Sequence, residues 1–267
     1  MAMSSAEISL AFVFGAVIGS FLNVVSLRLN TGDGLDGRSM CMACGKTLTW
    51  KELVPIASFF LQSGRCRNCK GKISWQYPLV EAATGALFAL IFWKFGGLSG
   101  SPVFLLPTLI YLIATCLLVV VTVYDIRHKI IPDRLVYAFD AIALISVFIG
   151  GTSLVHAPHL WTLAAGPLLA APFALLWLVS KGTWIGLGDA KLVLGIGWLL
   201  GLNGGANAVI LAFWVGAVVG VAWMLASYGR WKRRVEIPFG PFLIAGMYLA
   251  LIFGIQALDL RQVAALF

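Results

Sequence analysis

Eight long apolar segments, separated by polar ones, constrain this chain more than any other feature of its sequence. Hydrophobic residues make up 60% of the 267 and charged residues only 11%, and the mean hydropathy is +0.94. No soluble core absorbs so much apolar surface, so the bilayer is the expected solvent. We therefore predict an all-α polytopic membrane protein with about eight spans, at 8–27, 79–96, 103–124, 135–152, 160–180, 188–202, 207–228 and 240–258.

Two of these spans carry further information. The sixth is short for a membrane helix, which needs roughly 17 to 25 residues, so we expect it to begin inside a cavity. The first has no basic segment before it and no small-residue cleavage site after it, which disfavours a cleaved signal peptide. The expected organisation is a first membrane helix at 1–28, a polar insert at 29–78 and a membrane core at 79–267.

The distribution of Lys and Arg predicts the orientation. If the N-terminus lies outside, the first inner loop holds eight of the nineteen, and the next three inner loops hold three, two and four. Only Lys94 and Arg261 then fall outside, as the positive-inside rule requires. The net charge of +8 is thus explained by the anionic inner leaflet, without nucleic acid, and Lys232, Arg233 and Arg234 are expected to be an anchor there.

Two of the eleven acidic residues stand at the predicted inner ends of spans. Asp125 ends the third span, and Asp189 opens the sixth within Gly186-Leu187-Gly188-Asp189-Ala190-Lys191. A carboxylate at membrane depth is a functional candidate by default. Two of them from different helices can share a proton and activate a water against a peptide bond. The flanking Gly186 and Gly188 are expected to let a substrate strand approach Asp189.

Of three other acidic residues, two are expected to have structural roles and one stays a functional candidate. Asp133 follows Ile131-Pro132, a sequence typical of a helix start, so we expect it to be a cap. Asp140 is expected to be a structural carboxylate paired with Arg134. Glu81 also lies near a predicted inner boundary and stays an open candidate.

The polar insert contains two C-x2-C pairs, Cys41 with Cys44 and Cys66 with Cys69. Four thiolates at this spacing suit a tetrahedral zinc site, and such a site leaves no open position for a substrate. Two disulfides or a redox pair are the alternatives, but a reducing cytoplasm disfavours stable disulfides. We therefore predict a structural zinc that folds an insert poor in apolar residues. Cys116, in the third span, is expected to be a packing residue.

Other chemistries fit the sequence less well. The three histidines make no H-E-x-x-H motif, which argues against a zinc protease. A serine protease could use Gly97-Leu98-Ser99-Gly100 with His156 or His159, but the motif is an ordinary glycine-rich turn. Ser180 and Lys181 are adjacent and would diverge by about 100 degrees on a helix. An ion or proton transporter with intramembrane aspartates stays an alternative, although no paired broken helices are evident, and so does a zinc-stapled scaffold without catalysis.

An ordered set of segments resembles the bacterial type IV prepilin peptidases, also called prepilin leader peptidases. The segments are Gly19 to Val25, the two cysteine pairs with Gly64 and Arg65, Tyr77 to Glu81, Asp125 to Asp133, Gly186 to Lys191 and Pro238 to Phe242. Three glycine pairs spaced four apart, Gly15 with Gly19, Gly197 with Gly201 and Gly216 with Gly220, are in addition typical of helix contacts in lipid. Asn30 and Met42 depart from the family pattern, which often has proline there.

The resemblance implies a function and its site. Asp125 and Asp189 match the family's catalytic pair, and Gly186, Gly188, Lys191, Pro132 and Asp133 belong to the motifs around them. The implied substrates are type IV prepilins and pseudopilins, cut after a glycine that ends a short basic leader at the cytoplasmic face of the inner membrane. A second implied activity is methylation of the new N-terminal amine from S-adenosylmethionine, for which the 29–78 insert with Glu81 is the expected region.

Overall fold

The computed structural model describes residues 4–31, 34, 36–96, 102–150, 153–155, 158–226 and 237–258. Its helices are α1 (Ser5–Arg28), α2 (Ala57–Leu61), α3 (Gln76–Phe95), α4 (Pro102–His128), α5 (Asp133–Val147), α6 (Leu160–Ser180), α7 (Leu187–Ala226) and α8 (Gly240–Phe253). A 3-10 turn, Trp50–Glu52, precedes α2, and a small hairpin pairs β1 (Ile149–Gly150) with β2 (Ser153–Val155). The all-α class predicted from the sequence is confirmed.

Within the described ranges, five helices are long and apolar enough to cross a membrane: α1, α3, α4, α6 and α7. Helices α5 and α8, with 15 and 14 residues, are shorter. The sixth and seventh predicted spans are merged in α7, which has 40 residues and is broken at Gly201, where φ is 71° and ψ is 178°. With its two halves counted separately, the predicted number of about eight segments is confirmed.

The chain divides into two compact units, Met1–Val123 and Tyr124–Phe267. In the first unit, α1 packs against α3 through two glycines. A Cβ added at Gly15 would stand 2.7 Å from Phe88 Cβ, and one added at Gly19 would stand 2.9 Å from Glu81 Cα. This is the close helix contact that the Gly15 and Gly19 pair predicts. The polar insert connects these two helices.

In the second unit, α5, α6 and α8 pack against α7. A Cβ at Gly197 of α7 would stand 2.7 Å from Gly166 Cα of α6, so this glycine is a contact point. Its predicted partner Gly201 instead breaks the helix. A Cβ added at Gly216 would make only an ordinary van der Waals contact with Phe242, and one added at Gly220 would face open space. The last two glycine pairs were therefore only partly right as contact predictions, because spacing does not show which glycine faces a neighbour.

Candidate active site and metal centre

Asp125 lies in the last turn of α4 and is only 3% exposed. Its Oδ2 atom has no hydrogen-bond partner in the described structure. A Cβ added at Gly240, the first residue of α8, would stand 2.6 Å from this oxygen. Glycine at 240 is therefore what allows the start of α8 to lie against the Asp125 carboxylate.

Asp189 lies in the first turn of α7 and is 8% exposed. The Gly186 N–H donates to its Oδ2 at 3.2 Å, and the Asp189 N–H donates to the Gly186 carbonyl at 3.2 Å. These reciprocal bonds fix the direction of the side chain. The positive end of the helix dipole also favours an acid at this position.

Ile131 contacts residues that lie beside both Asp125 and Asp189. A Cβ at Gly188 would stand 2.8 Å from Ile131 Cβ, and one at Gly240 would stand 3.2 Å from Ile131 Cδ1. Ile131 thus lies between the helix that carries Asp189 and the helix that contacts Asp125, and it occupies the space beside Gly188 that we expected to admit a substrate. The structure therefore brings the surroundings of the two predicted aspartates together at Ile131.

Lys191 and Asp133 form an ion pair beside this pair of aspartates. Lys191 Nζ lies 2.7 Å from Asp133 Oδ1 and 4.7 Å from the ring centroid of Tyr137. The prediction that Asp133 caps α5 is wrong: Pro132 occupies the cap position, no side chain makes a capping bond, and Asp133 binds α7 instead. The bridge ties the start of α5 to the first turns of α7.

Asp140 is buried in α5, with 6% of its surface exposed. In the described structure neither of its carboxylate oxygens has a hydrogen-bond partner, so the predicted pairing with Arg134 is wrong. Asp140 instead packs against Gly195 of α7, where a Cβ would collide with its Oδ1. On a helix, residue 134 lies six positions before residue 140 and points to a different face.

The four insert cysteines form one cluster. Their sulfur atoms all lie within 4.8 Å of one another, and none is in a disulfide. Each C-x2-C pair closes a similar turn: the Cys41 N–H donates to Lys46 and the Cys66 N–H donates to Gly71, each at 2.9 Å. The donor set fits zinc, because a tetrahedral site with Zn–S bonds of about 2.3 Å needs sulfur atoms at such separations.

Backbone N–H groups also favour the thiolate form of one cysteine, Cys66. The N–H groups of Cys69 and Asn68 hold the pKa of the Cys66 thiol at about 7, below its ordinary value of 9.0. A thiolate, not a thiol, is the metal ligand. A zinc ion at this cluster would have four sulfur ligands and no open position, so it would stabilise the insert rather than bind a substrate.

A buried polar cluster in the first unit was not predicted as such. The Ile56 N–H donates to Glu81 Oε2 at 2.7 Å, and Ile56 has φ 61° and ψ −56°, a strained conformation for a β-branched residue. Nearby, the fully buried Asn23 donates to the Gly19 and Tyr77 carbonyls and accepts from Gln76. The one sequence signal was an asparagine inside an apolar span.

Predictions for Gly97 to Gly100, His156 and Lys232 to Arg234 fall outside the described residues.

Comparison with known proteins gives a consistent result. The family model described as "Bacterial Peptidase A24 N-terminal domain" matches residues 13–95, and "Type IV leader peptidase family" matches 112–221. A protein of Bacillus subtilis (strain 168), named prepilin leader peptidase/N-methyltransferase, is 34% identical over 92% of this chain and 94% of its own length.

Two further relatives illustrate the range of organisms in which the same printed name occurs. The protein of Burkholderia pseudomallei (strain K96243) is 32% identical over 93% of this chain and 86% of its own length. That of Xanthomonas campestris pv. campestris is 30% identical over 92% and 91%. No solved structure matches the chain. On its family matches and the extent of these identities, the chain belongs to the type IV leader peptidase family.

Proposed function

We propose that this protein is an aspartyl endopeptidase that removes the short basic leader of type IV prepilins and pseudopilins. One observation carries the proposal: Asp125 and Asp189 come from different helices, both are buried, and Ile131 packs against both Gly240, which contacts Asp125, and Gly188, which precedes Asp189. The relatives are named prepilin leader peptidases, which supports the substrate class. The cut is expected after a glycine that ends the leader, by family resemblance.

The chemistry needs only the two carboxyl groups and water. One aspartate, ionised, takes a proton from a water molecule while the other, protonated, donates a hydrogen bond to the scissile carbonyl. The water oxygen bonds to the carbonyl carbon, the C–N bond breaks and the amine leaves with a proton from the pair. Because the pair shares one proton, the two roles belong to the dyad as a whole.

The membrane placement is part of the proposal. With the N-terminus outside, the insert and the end of α4 with Asp125 face the cytoplasm, and so does the start of α7 with Asp189. Prepilin leaders are basic by family resemblance, so their cleavage on the positive-inside face of the bacterial inner membrane is consistent with this orientation. The lipid bilayer and the prepilin substrate are then the two partners.

A second activity, N-methylation of the new N-terminus, is supported by the relatives' names. We place it in the first unit, at the insert and Glu81, with S-adenosylmethionine as methyl donor. Glu81 is a buried carboxylate that binds the insert backbone at Ile56, and it lies outside the unit that holds the aspartate pair. Such a carboxylate can accept a hydrogen bond from a substrate amine and hold it in place.

The ion-transporter alternative is weaker. Carriers of that kind are built from paired halves with corresponding broken helices. Among the described helices, a break in the helical backbone occurs in α7 alone, at Gly201, twelve residues beyond Asp189. The aspartate pair therefore lies at helix ends rather than at a helix break.

The test is cleavage of a synthetic prepilin peptide by purified protein in detergent, followed by mass spectrometry in the presence of hydroxylamine. Direct attack by water gives a free carboxylate on the leader and no hydroxamate. A serine or cysteine protease would pass through an acyl-enzyme, and part of its product would be the hydroxamate. Absence of cleavage at the glycine, or hydroxamate product, would refute the proposal.

A further inference from the structure

Asp140 is a buried carboxyl group that the proposed peptide hydrolysis does not use. It is 6% exposed, and neither oxygen has a hydrogen-bond partner within the described structure. Buried polar groups are normally satisfied, and a carboxyl group in a membrane helix is costly to keep. An unpartnered group of this kind calls for a partner that reaches it in another state of the protein.

The candidate partner is Lys191, because the face of α5 that carries Asp140 packs against the face of α7 that carries Lys191. Asp133, Tyr137 and Asp140 are spaced by four and three residues, so they share one face of α5. Lys191 and Gly195 are four apart and share one face of α7. Lys191 contacts Asp133 and Tyr137, while Asp140 packs against Gly195.

Lys191 can therefore bind either of two carboxylates, that of Asp133 or that of Asp140. Gly195 stands one helical turn beyond Lys191, about 6 Å along the axis, and the flexible four-carbon stem of lysine can span such a step. Gly195 contributes no side chain on this face, and the space beside it is occupied by Asp140 itself and by the Phe139 ring. Asp133 is the exposed partner, with 62% of its side chain accessible, and Asp140 is the buried one.

We propose that Asp140 is a positioning residue: it is the inner partner of Lys191, which moves from Asp133 to Asp140 when the peptidase site opens. The inference rests on the proposed function. While Lys191 binds Asp133, the start of α5 is held to α7, and Ile131 stays between Gly188 and Gly240 beside the aspartate pair. When Lys191 binds Asp140, that tie is released and Ile131 can withdraw, which makes room for the substrate backbone.

This scheme predicts opposite effects of two similar substitutions. Asp140→Asn removes the inner partner, favours the closed state and raises KM for a prepilin peptide by about threefold to tenfold, since only the open fraction binds. Asp133→Asn removes the outer partner, favours the open state and lowers KM. In the double variant neither state is favoured by Lys191, so its KM returns toward that of the wild type.

The experiment measures kcat and KM for wild type, both single variants and the double variant, each shown to be folded by thermal unfolding in detergent. The same set is repeated with Lys191→Met, where the opposing effects on KM should disappear. If Asp140→Asn does not fold, Asp140→Ala replaces it, because alanine buries no unpartnered amide. A KM defect that Asp133→Asn does not relieve, or that persists with Lys191→Met, means that Asp140 is merely structural and overturns the proposal.

A readout without activity separates this inference from the proposed function. In Ile131→Cys protein, the rate of maleimide labelling at residue 131 reports whether this side chain is withdrawn. Asp133→Asn should raise that rate and Asp140→Asn should lower it, even if no prepilin peptide is cleaved. Equal rates in the two variants, or a faster rate in Asp140→Asn, would overturn the proposed exchange of Lys191 between Asp133 and Asp140. The predicted difference in rate without any cleavage by the wild type would refute only the peptidase assignment.

Discussion

Gly240 lies so close to Asp125 that a Cβ on it would stand 2.6 Å from the carboxylate oxygen. This contact gives a first prediction. Gly240→Ala should displace either α8 or the Asp125 side chain, and a displacement of about 1 Å can cost about 100-fold in rate. We expect a fall of that order in peptide cleavage. The measurement is kcat/KM with a prepilin peptide.

Gly220→Ala is the matched control, because Gly220 is also helical and faces open space. This variant should cleave at the wild-type rate. A Gly240→Ala protein that is folded and as active as Gly220→Ala would show that α8 is not fixed against the carboxylate.

The second prediction concerns the aspartates themselves. Asp125→Asn and Asp189→Asn should each lower cleavage by about 100-fold or more, since an amide keeps the shape but cannot exchange a proton with water. Glu7→Gln is the control: Glu7 is a carboxylate in the capping box of α1, in the other unit. Substantial turnover by either Asn variant would remove that residue from the reaction.

The third prediction is one zinc ion per chain. Elemental analysis of purified protein should show it, because four sulfur ligands at mutual distances within 4.8 Å form a single closed site. Cys66→Ser should lose the metal and destabilise the insert, whereas Cys116→Ser, on α4 and outside the cluster, should retain it. Two disulfides and no zinc in a reducing preparation would contradict this prediction.

Zinc binding should depend on pH in a defined direction. The pKa of the Cys66 thiol is lowered from 9.0 to about 7, so this ligand is largely a thiolate above pH 7 and is protonated as the pH falls through that value. Each proton that zinc must displace lowers the affinity by up to about tenfold per pH unit. Competition with a chromophoric chelator between pH 8 and pH 6 should show this fall. Affinity that is constant over the range would contradict it.

The fifth prediction separates the two proposed activities. Asp189→Asn should stop cleavage yet still methylate a supplied pre-cut peptide with S-adenosylmethionine, because Asp189 and Glu81 belong to different units. Glu81→Gln should do the reverse. Radiolabelled methyl transfer and mass spectrometry of the leader measure the two reactions. A folded, zinc-loaded Asp189→Asn protein that cannot methylate the pre-cut peptide would show that the sites are not independent.

The sequence predicted the aspartate pair and the cysteine cluster because their residue types are rare in this chain and their spacing is specific. Acids are few, so Asp125 and Asp189 stood out against apolar surroundings. The two C-x2-C pairs specify a metal geometry by themselves. The all-α class followed from hydropathy alone, since lipid leaves helices as the main way to satisfy the backbone.

What could not be predicted depends on contacts between segments far apart in sequence. Nothing local indicates that Ile131 packs against both Gly188 and Gly240, or that Asp133 binds Lys191 rather than capping its own helix. The absence of a hydrogen-bond partner of Asp140 among the described residues is likewise a property of the packed helices. Hydropathy also placed a boundary inside α7, where the backbone continues as helix on both sides of one glycine.

The position of the cysteine cluster along the chain sets an order for biogenesis. All four ligands lie between α1 and α3, and the last of them, Cys69, is made before α3 begins at Gln76. The insert can therefore take up its metal while α1 alone is in the bilayer. The rest of the chain would then enter the membrane after this module is complete, so zinc starvation should act on newly made protein rather than on molecules already assembled.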